Sequence, residues 1–275
     1  MRSAKRCGLG IIRPPRRISR SYQLRDGRRF AQNRTVASNI VGEAYWICDR
    51  LMRTWQTIRS KTLPRHSHQE SYAALVLSGA YEEAGDHGRF HAEAGDVILH
   101  EKFEAHLNRF SPSGAMVLNL RLSASHTFLP GIASVRDVDS IVRAAERNVA
   151  EAAALLLATH IMRDCLNFDW PDRLAAAIIR NPCLRLSDWS EAAGLTAWAV
   201  SRGFAQVFGI SPLSFRAQIR ALQAWKAAET SKEPLAGMAT RLGFADQSHM
   251  TRCVKQVTGL PPHAWRSTAN RFKTY

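Results

Sequence analysis

The fold is decided by two related stretches, GLTAWAVSRGFAQVFGISPLSFR at residues 194–216 and GFADQSHMTRCVKQVTGLPPHAWR at residues 243–266. From Arg202 and Arg252 onward the copies keep a constant offset of fifty residues, and one extra residue precedes the arginine in the second copy. The same offset relates these pairs: Gly209 and Gly259, Pro212 and Pro262, Phe215 and Trp265, Arg216 and Arg266. A repeat of this kind indicates one structural unit that occurs twice.

Each copy starts with a short predicted helix, residues 186–193 and 235–242, which ends at a glycine. Glycine tolerates the left-handed conformation that closes a helix, and Ser187 is a suitable N-cap for the first one. The second helix of each copy is predicted to begin at Thr196 or near Asp246, which are both good N-cap residues. A short helix, a turn and a second, presented helix form a helix-turn-helix motif, so two such motifs are expected.

The two second helices are amphipathic, and a further helix is predicted between the copies. Their apolar sides are expected to pack inward: Val200, Phe204 and Val207 in the first copy, and Met250, Val254 and Val257 in the second. Residues 213–229 carry an apolar stripe and are predicted to form one connecting helix. A stiff connector of this kind would separate the two presented helices by about one turn of DNA, roughly 34 Å.

The second copy resembles the signature of the AraC/XylS family of bacterial transcription regulators, and the resemblance covers about 100 residues. Members of this family place their two presented helices in successive major-groove segments on one face of DNA. The resemblance therefore implies that the exposed residues of both helices contact DNA. These residues are Trp198, Ser201 and Arg202 in the first helix, and Gln247, Ser248, His249, Thr251 and Arg252 in the second.

The residue types on these helices suit contacts with DNA. Arginine can donate two hydrogen bonds to guanine and glutamine can pair with adenine, while serine and threonine contact bases or phosphates. Gln206, Arg216 and Lys255 are predicted to contact phosphates. Two alternatives stay open at this stage: Trp198 packs in the core, and His249 supports the turn instead of contacting a base.

Residues 45–122 consist of short alternating runs that are broken by Gly, Pro and Asp. Two such runs cover residues 71–77 and 116–122, and GDHG at residues 85–88 has the composition of a hairpin turn. Many short strands at nearly regular spacing predict an antiparallel sandwich or barrel. His66, His68 and Glu70 follow one another at two-residue spacing, which places them on one face of a strand.

The segments around these histidines resemble the two short motifs of the cupin family, a His-x-His block and a later Gly-Asp…His block that ends at His106. In metal-dependent cupins the equivalent histidines and a glutamate hold a divalent ion. Glu70 comes earlier than in that pattern, and Lys102-Phe103-Glu104 replaces the usual Pro-x-Gly turn. The resemblance implies a sensor domain in which His66, His68, Glu70 and His106 contact an effector. No cofactor is predicted, and Zn²⁺, Ni²⁺ or Fe²⁺ at His66, His68 and His106 is the alternative.

Residues 131–170 are predicted to be a helical linker. Val138, Ile141 and Val142 recur at helical spacing, and residues 152–158 are apolar around most of a helix. These helices pack either against the rest of the chain or against a second copy. The second arrangement would suit a homodimer that binds paired half-sites.

The net charge of +15 is unevenly distributed along the chain. Residues 1–35 carry +10, residues 36–170 carry −3 and residues 171–275 carry +8. A basic C-terminal third is typical of a domain that meets a polyanion such as DNA. Residues 1–35 lack hydrophobic periodicity and are predicted to form a disordered tail, with a non-specific nucleic-acid arm as the alternative.

The cysteines and the apolar runs indicate the cellular compartment of the protein. The five cysteines are odd in number and contain no CxxC pair, which favours a reducing compartment over a disulfide framework or a zinc ribbon. No apolar run approaches the ~18 residues of a membrane-spanning helix, and residues 1–35 lack the apolar segment of a secretory signal. We therefore expect a cytoplasmic bacterial protein without a membrane partner.

Together these patterns predict an α+β protein with four segments. They are a tail (residues 1–35), a cupin-like antiparallel β-barrel sensor (36–130), a helical linker (131–170) and an all-α DNA-binding domain with two helix-turn-helix motifs (171–275). The predicted function is transcription regulation without enzymatic activity, with double-stranded DNA, an unidentified small-molecule effector and RNA polymerase as partners. The alternative is a metal-dependent cupin enzyme with a DNA-binding appendage. A non-specific nucleoid protein would explain the charge but not the repeat.

Overall fold

The computed structural model of the protein describes residues 35–37, 45–47, 54–164 and 169–271, and the first two of these ranges and residues 268–271 are described by their backbone alone. The predicted tail, residues 1–35, lies outside the described residues except for Thr35. The chain first forms strands and then helices, which confirms the predicted α+β class.

The strands join in one mixed sheet. They are β1 (Thr35–Ala37), β2 (Tyr45–Ile47), β3 (Trp55–Ile58), β4 (Thr62–Ser67), β5 (Tyr72–Gly85), β6 (Gly88–Glu93), β7 (Asp96–His100), β8 (Ala105–Arg121), β9 (Gly131–Ser134) and β10 (Ile161–Met162). The order is β1-β2-β4-β8-β5-β7-β9-β10, with β3 paired to β8 and β6 paired to β5. Only the β2–β4 pair is parallel among the described strands, so the predicted antiparallel pattern is confirmed.

The two longest strands, β5 and β8, form the centre of the sheet. Residues 85–88 make the predicted hairpin turn between β5 and β6. Gly79 lies at a register irregularity with a φ of +76°, and a Cβ atom there would lie 2.0 Å from the carbonyl oxygen of Gly114. Only glycine permits so close an approach of the two backbones, so the strands can bend around a core that includes Tyr81, Phe110 and Ile132.

Two helices, α1 (Val138–Arg147) and α2 (Val149–Thr159), occupy the middle of the predicted linker. The Asp137 and Asn148 side chains accept hydrogen bonds from backbone N–H groups in the first turns of α1 and α2. Both helices lie between β9 and β10, which pair with each other, so this segment leaves the sheet and returns to it. The buried face of α2 packs on α1 and on β8, which is the own-chain packing that the sequence left open.

The C-terminal third contains α3 (Trp170–Arg180), α4 (Leu186–Ala192), α5 (Ala197–Phe208), α6 (Pro212–Thr230), α7 (Leu235–Arg241), α8 (Gln247–Thr258) and α9 (Pro262–Arg271). We call α4–α5 unit 1 and α7–α8 unit 2, and α6 is the connector between them. Thr196 and Asp246 cap α5 and α8 through their side chains, as predicted. The prediction of Ser187 as a cap was wrong, because α4 already begins at Leu186 and the Ser187 hydroxyl donates to Asp188.

Each unit has its own core, and the sheet contributes to both. The core of unit 1 contains Phe204, Phe208 and Phe215 together with Leu174 and Ile178 of α3. The sheet and the helices belong to the same compact part of the chain, Arg34–Tyr275. Within the described residues, no helix has both the length and the apolar character required to cross a bilayer.

Candidate DNA-recognition helices and histidine cluster

Helix α5 presents one polar face and buries the other. Val200 and Phe204 are buried, whereas Trp198, Ser201 and Arg202 are exposed. Trp198 leaves 68% of its surface exposed, and the Arg202 guanidinium carbon lies 5.1 Å from the centre of its ring. The stacked pair orients an arginine at the surface, where its charge and hydrogen-bond donors face solvent.

Helix α8 repeats this arrangement fifty residues later. Its buried side consists of Met250, Cys253, Val254, Val257 and Thr258. Gln247, Ser248 and Arg252 are exposed, and Thr251 is half-buried. Because the two helices keep equivalent faces free, the predicted base-contacting residues can meet a ligand in both units.

His249 has a partly internal position on α8. Its ring packs edge-on against Phe244 at 5.4 Å, and its Nδ1 accepts a hydrogen bond from the Ala245 N–H at 3.5 Å. These contacts fit the supporting role that the sequence left open. A contact between His249 and DNA stays a prediction.

The three predicted phosphate contacts occupy different environments. Gln206 and Lys255 are exposed. Arg216 is half-buried, and its Nη1 donates to the Leu184 carbonyl at 2.9 Å, while desolvation lowers the pKa of its guanidinium. Arg266, its counterpart in the repeat, donates from Nη2 to the Glu233 carbonyl at 2.8 Å. Both arginines therefore brace the segment that precedes a first helix, and a phosphate contact by Arg216 stays a prediction.

The sheet brings three histidines together, which we call the histidine cluster: His66, His68 and His106. His66 on β4 is the register partner of His106 on β8. The ring centres of His66 and His106 are 4.5 Å apart, those of His66 and His68 are 5.1 Å apart, and those of His68 and His106 are 5.5 Å apart. One ring nitrogen from each residue lies within 4.8 Å of the others.

The imidazoles of the histidine cluster are held neutral. Burial lowers the pKa of His66 to about 4 and that of His68 to about 3, and it places the pKa of His106 well below its usual value. The Nδ1–H of His66 donates to the Pro64 carbonyl at 2.9 Å, which leaves Nε2 with its lone pair. Tyr72 reaches His106 through its hydroxyl, 3.3 Å from Nε2. Three neutral imidazoles with available nitrogen lone pairs suit a borderline transition metal, so this donor set fits such an ion.

The fourth residue predicted for this site, Glu70, lies in a different environment. β4 ends at Ser67, so the two-residue alternation that would align Glu70 with the histidines does not continue to it. Glu70 instead forms an ion pair with Arg121 at 2.6 Å, and both side chains are half exposed.

The sequence patterns did not indicate a buried carboxylate, Glu83, next to the histidine cluster. Glu83 on β5 and His100 on β7 lie beside His106, and all three residues are buried. His100 sits between two carboxylates, with Nε2 3.6 Å from Glu83 and Nδ1 3.7 Å from Glu104. Burial raises the pKa of Glu83 to about 7, while the two carboxylates outweigh the effect of burial and raise the pKa of His100. Strand alternation could not indicate these residues, because β7 is buried along its whole length and the last three residues of β5 are buried in succession.

Comparison with known proteins bears on the helical third. Residues 189–268 match the family model described as "Helix-turn-helix domain". The multiple antibiotic resistance protein MarA of Escherichia coli is 31% identical over 85 residues, which are 31% of this chain and 67% of MarA. This chain belongs to the AraC/XylS family of transcription regulators.

Two solved structures align with different shares of the chain. ToxT of Vibrio cholerae with a bound unsaturated fatty acid aligns at 10% identity over 76% of this chain and 92% of ToxT, with a TM-score of 0.36. The C-terminal domain of AraT, a response regulator of Geobacillus stearothermophilus, aligns at 24% identity over 36% of this chain and 84% of that domain, with a TM-score of 0.33.

In this AraC/XylS-family chain, the sheet contacts the end of the unit 1 recognition helix. Arg65, next to His66 on β4, is buried and donates to the Phe208 carbonyl at 3.3 Å and to Gln218 of the connector at 3.4 Å. The same guanidinium forms an ion pair with Asp86. Arg109 donates to the Val207 carbonyl at 2.9 Å. Because carbonyl groups at a helix C-terminus attract cations, the two arginines fix the end of α5 that lies away from its predicted base-contacting residues.

Proposed function

We propose that this DNA-binding transcription regulator recognises a specific DNA sequence through α5 and α8. The observation that carries the proposal is the exposure, at repeat-related positions, of Arg202 and Arg252 on helices whose other faces are buried. The proposed contacts to bases are Trp198, Ser201, Arg202, Gln247, Ser248, Thr251 and Arg252, with His249 as a supporting residue. Gln206, Arg216 and Lys255 are the proposed contacts to phosphates. RNA polymerase and a second copy of the chain are further proposed partners.

The chemistry of the two helices supports direct base recognition. Each arginine can donate two parallel hydrogen bonds to the O6 and N7 atoms of a guanine. Two recognition helices joined by the connector α6 would then contact two DNA segments about one helical turn apart.

A selection of binding sites from random DNA tests this proposal. We expect the full chain to enrich a site with two conserved segments, and Arg252→Ala to relax the choice at one position in one segment. Arg143→Ala on α1, which also removes an exposed arginine, is the matched control and should enrich the wild-type site. Enrichment of no sequence at all would contradict sequence-specific recognition and support a non-specific nucleoid protein.

The second part of the proposal concerns the effector. We infer that the histidine cluster binds a divalent transition-metal ion and that the bound ion changes the affinity of the regulator for DNA. The rings of His66, His68 and His106 are in contact with one another, so the space between their nitrogens suits an ion better than an organic molecule. An ion held there would draw β4 and β8 together, and Arg65 on β4 contacts the end of α5.

Metal analysis and DNA titration of the same samples test the effector. After dialysis against Zn²⁺, Ni²⁺ or Fe²⁺, we expect one ion per wild-type chain and loss of the ion in the double variant His66→Ala with His68→Ala. His91→Ala, which removes an exposed histidine from β6, should keep the ion. Substoichiometric metal in the wild type, or equal metal in the double variant, would contradict the metal effector. Bound metal without any change in DNA affinity would instead favour the metal-dependent enzyme.

A further inference from the structure

A four-residue loop connects the surroundings of the histidine cluster with the core of unit 2. This coupling loop, Glu101–Glu104, joins β7 to β8. The residue before it is His100, and His106 follows it by two residues. Both histidines belong to the buried group that also contains Glu83.

The tip of the coupling loop is inserted into unit 2. Phe103 is 3% exposed and belongs to the same hydrophobic cluster as Met250 and Val254 of α8. Its ring lies edge-on to Trp225 of α6 at 5.0 Å and to Trp265 of α9 at 5.6 Å. A side chain of the coupling loop therefore completes the core that supports the recognition helix of unit 2.

The base of the coupling loop is fastened to the histidines. The Phe103 N–H donates to the His68 carbonyl at 2.7 Å. The Glu101 N–H donates to the Glu104 carboxylate at 3.0 Å, and the other oxygen of that carboxylate lies 3.7 Å from His100 Nδ1. A displacement of His68 would therefore reach the loop directly through a hydrogen bond, and a displacement of His100 would reach it through an ion pair.

Charged groups on both sides hold the coupling loop in place. Lys226 on the connector α6 forms an ion pair with Glu101. His87 Nε2 lies 3.6 Å from the Glu101 carboxylate and 3.8 Å from that of Glu104. The loop thus contacts the connector through Glu101 and the core of unit 2 through Phe103.

The backbone at Phe103 has an unfavourable conformation. Its φ is +62°, which makes it the one non-glycine residue with positive φ in the described part of the chain. A phenylalanine adopts this conformation only when its surroundings hold it there. The packing of the ring between Trp225 and Trp265 supplies that restraint, so a change at the loop base competes directly with the packing of unit 2.

We propose that the coupling loop transmits the state of the histidine cluster to unit 2 by shifting Phe103 in the core beneath α8. The proposal rests on the proposed function for the identity of the ligand and for DNA binding, and the contacts of the loop carry the rest. A ligand that moves His68 and His106 displaces both the carbonyl that holds Phe103 and the first residues of β8. Because α8 packs on the same core, its recognition residues would change position with the ring.

A double-mutant cycle in the full chain without added metal tests the coupling. The readout is the Kd for the DNA site obtained by selection. His100→Ala removes the partner of two buried carboxylates at the loop base, and we expect it to weaken DNA binding by on the order of threefold or more. In a Phe103→Ala background the same substitution should change the Kd by less than about 1.5-fold, because the ring that transmits the change is gone.

Phe244→Ala is the matched control for this cycle. Phe244 is 7% exposed and lies in the same cluster as Phe103, but it belongs to unit 2 itself. His100→Ala should keep its full effect in the Phe244→Ala background. Circular dichroism checks the fold of every variant, and Glu104→Gln takes the place of His100→Ala if the latter does not fold.

The outcomes separate this proposal from the metal effector. Equal effects of His100→Ala in the wild-type and Phe103→Ala backgrounds would overturn the coupling, and so would an unchanged Kd for His100→Ala alone. If the effects in the cycle are non-additive and the dialysis experiment finds no bound metal, the coupling is supported and the metal effector is contradicted. Stoichiometric metal with additive effects would support the metal effector and overturn the coupling.

Discussion

In both helix-turn-helix units a side chain caps the start of the second helix and a glycine ends it, but the cores of the two units are built differently. In unit 1 the recognition helix supplies aromatic rings: Phe204 and Phe208 stack with their centres 4.6 Å apart, and both rings lie at an angle against Phe215 of the connector. In unit 2 the recognition helix supplies aliphatic side chains and Cys253. The aromatic rings of that core come from other elements, including Phe103 of the coupling loop.

The sheet also contacts the two units by different means. Arg65 and Arg109 donate hydrogen bonds to backbone carbonyls at the end of α5. Unit 2 instead receives the ring of Phe103 in its core. Hydrogen bonds depend on direction and distance, whereas the contribution of apolar burial does not depend on direction, so the two contacts differ in their physical basis. The proposed DNA-contacting surfaces of the two units are therefore equivalent, while the sheet domain contacts unit 1 through hydrogen bonds and unit 2 through an inserted ring.

The largest expected effect tests the difference between the two cores. Phe204→Ala should destabilise the protein by about 3–5 kcal/mol, because it removes a fully buried ring from a stacked set. Val254→Ala, at a fully buried position of α8, should cost only about 2 kcal/mol, since it removes two carbon atoms. Urea unfolding of the full chains, followed by circular dichroism, measures both values. Equal costs would show that the two cores contribute alike and would remove this part of the comparison.

The next effect concerns the two exposed arginines. Arg252→Ala should weaken binding to the selected site by about 1–3 kcal/mol and relax the choice at one position. Arg202→Ala should do the same at a position about one helical turn away, and Arg202→Lys should restore charge without restoring the choice, because lysine lacks the planar fork. Titration of DNA variants measures the losses. If both arginine variants relax the same position, the two helices do not contact separate segments.

The sequence predicted the helical third well because its rules are local. Thr196 and Asp246 cap the helices that immediately follow them, and Gly209 and Gly259 end these helices in the left-handed conformation. The fifty-residue offset also indicated Arg216 and Arg266 as a pair, although their carbonyl acceptors, Leu184 and Glu233, lie about thirty residues upstream. Contacts at that distance along the chain have no local pattern, so the partners could be found only in the structure.

The histidine cluster was predicted only in part, because it too depends on contacts between residues that are distant along the chain. Two-residue spacing placed His66 and His68 together, and it misplaced Glu70 because nothing in the sequence marked the end of β4 at Ser67. The runs at residues 71–77 and 116–122 are pieces of much longer strands, β5 and β8, whose buried stretches do not alternate. In the sequence Phe103 is only part of a departure from a turn motif, and its partners Trp225 and Trp265 lie more than a hundred residues away.

A smaller effect is expected at the exposed tryptophan of unit 1. Trp198→Ala should weaken DNA binding by about 0.5–1 kcal/mol, because the Arg202 side chain loses the ring that orients it. Unit 2 offers no equivalent stacked pair in the described structure, so Gln247→Ala is a comparison and not a control. A double-mutant cycle with Arg202→Ala separates the orientation of Arg202 from a direct contact between Trp198 and DNA. In the Arg202→Ala background, Trp198→Ala should lose most of its effect on DNA binding. Additive losses would show that Trp198 contacts DNA independently of Arg202.

The smallest effect follows from a difference in charge at equivalent positions. Lys255 is exposed on α8, and its counterpart fifty residues earlier is Ala205. If Lys255 neutralises a phosphate, Lys255→Ala should reduce the slope of log K against log salt by about 0.9, without changing which sequence is preferred. Ala205→Lys should raise the slope by a similar amount, because under the proposed function both helices turn equivalent faces toward DNA. The slopes come from titrations at several salt concentrations, with Lys232→Ala, an exposed lysine outside both recognition helices, as the control. A slope that falls with Lys255→Ala and does not rise with Ala205→Lys would mean that α5 and α8 approach the DNA backbone differently. Unit 1 would then meet DNA at a different angle from unit 2.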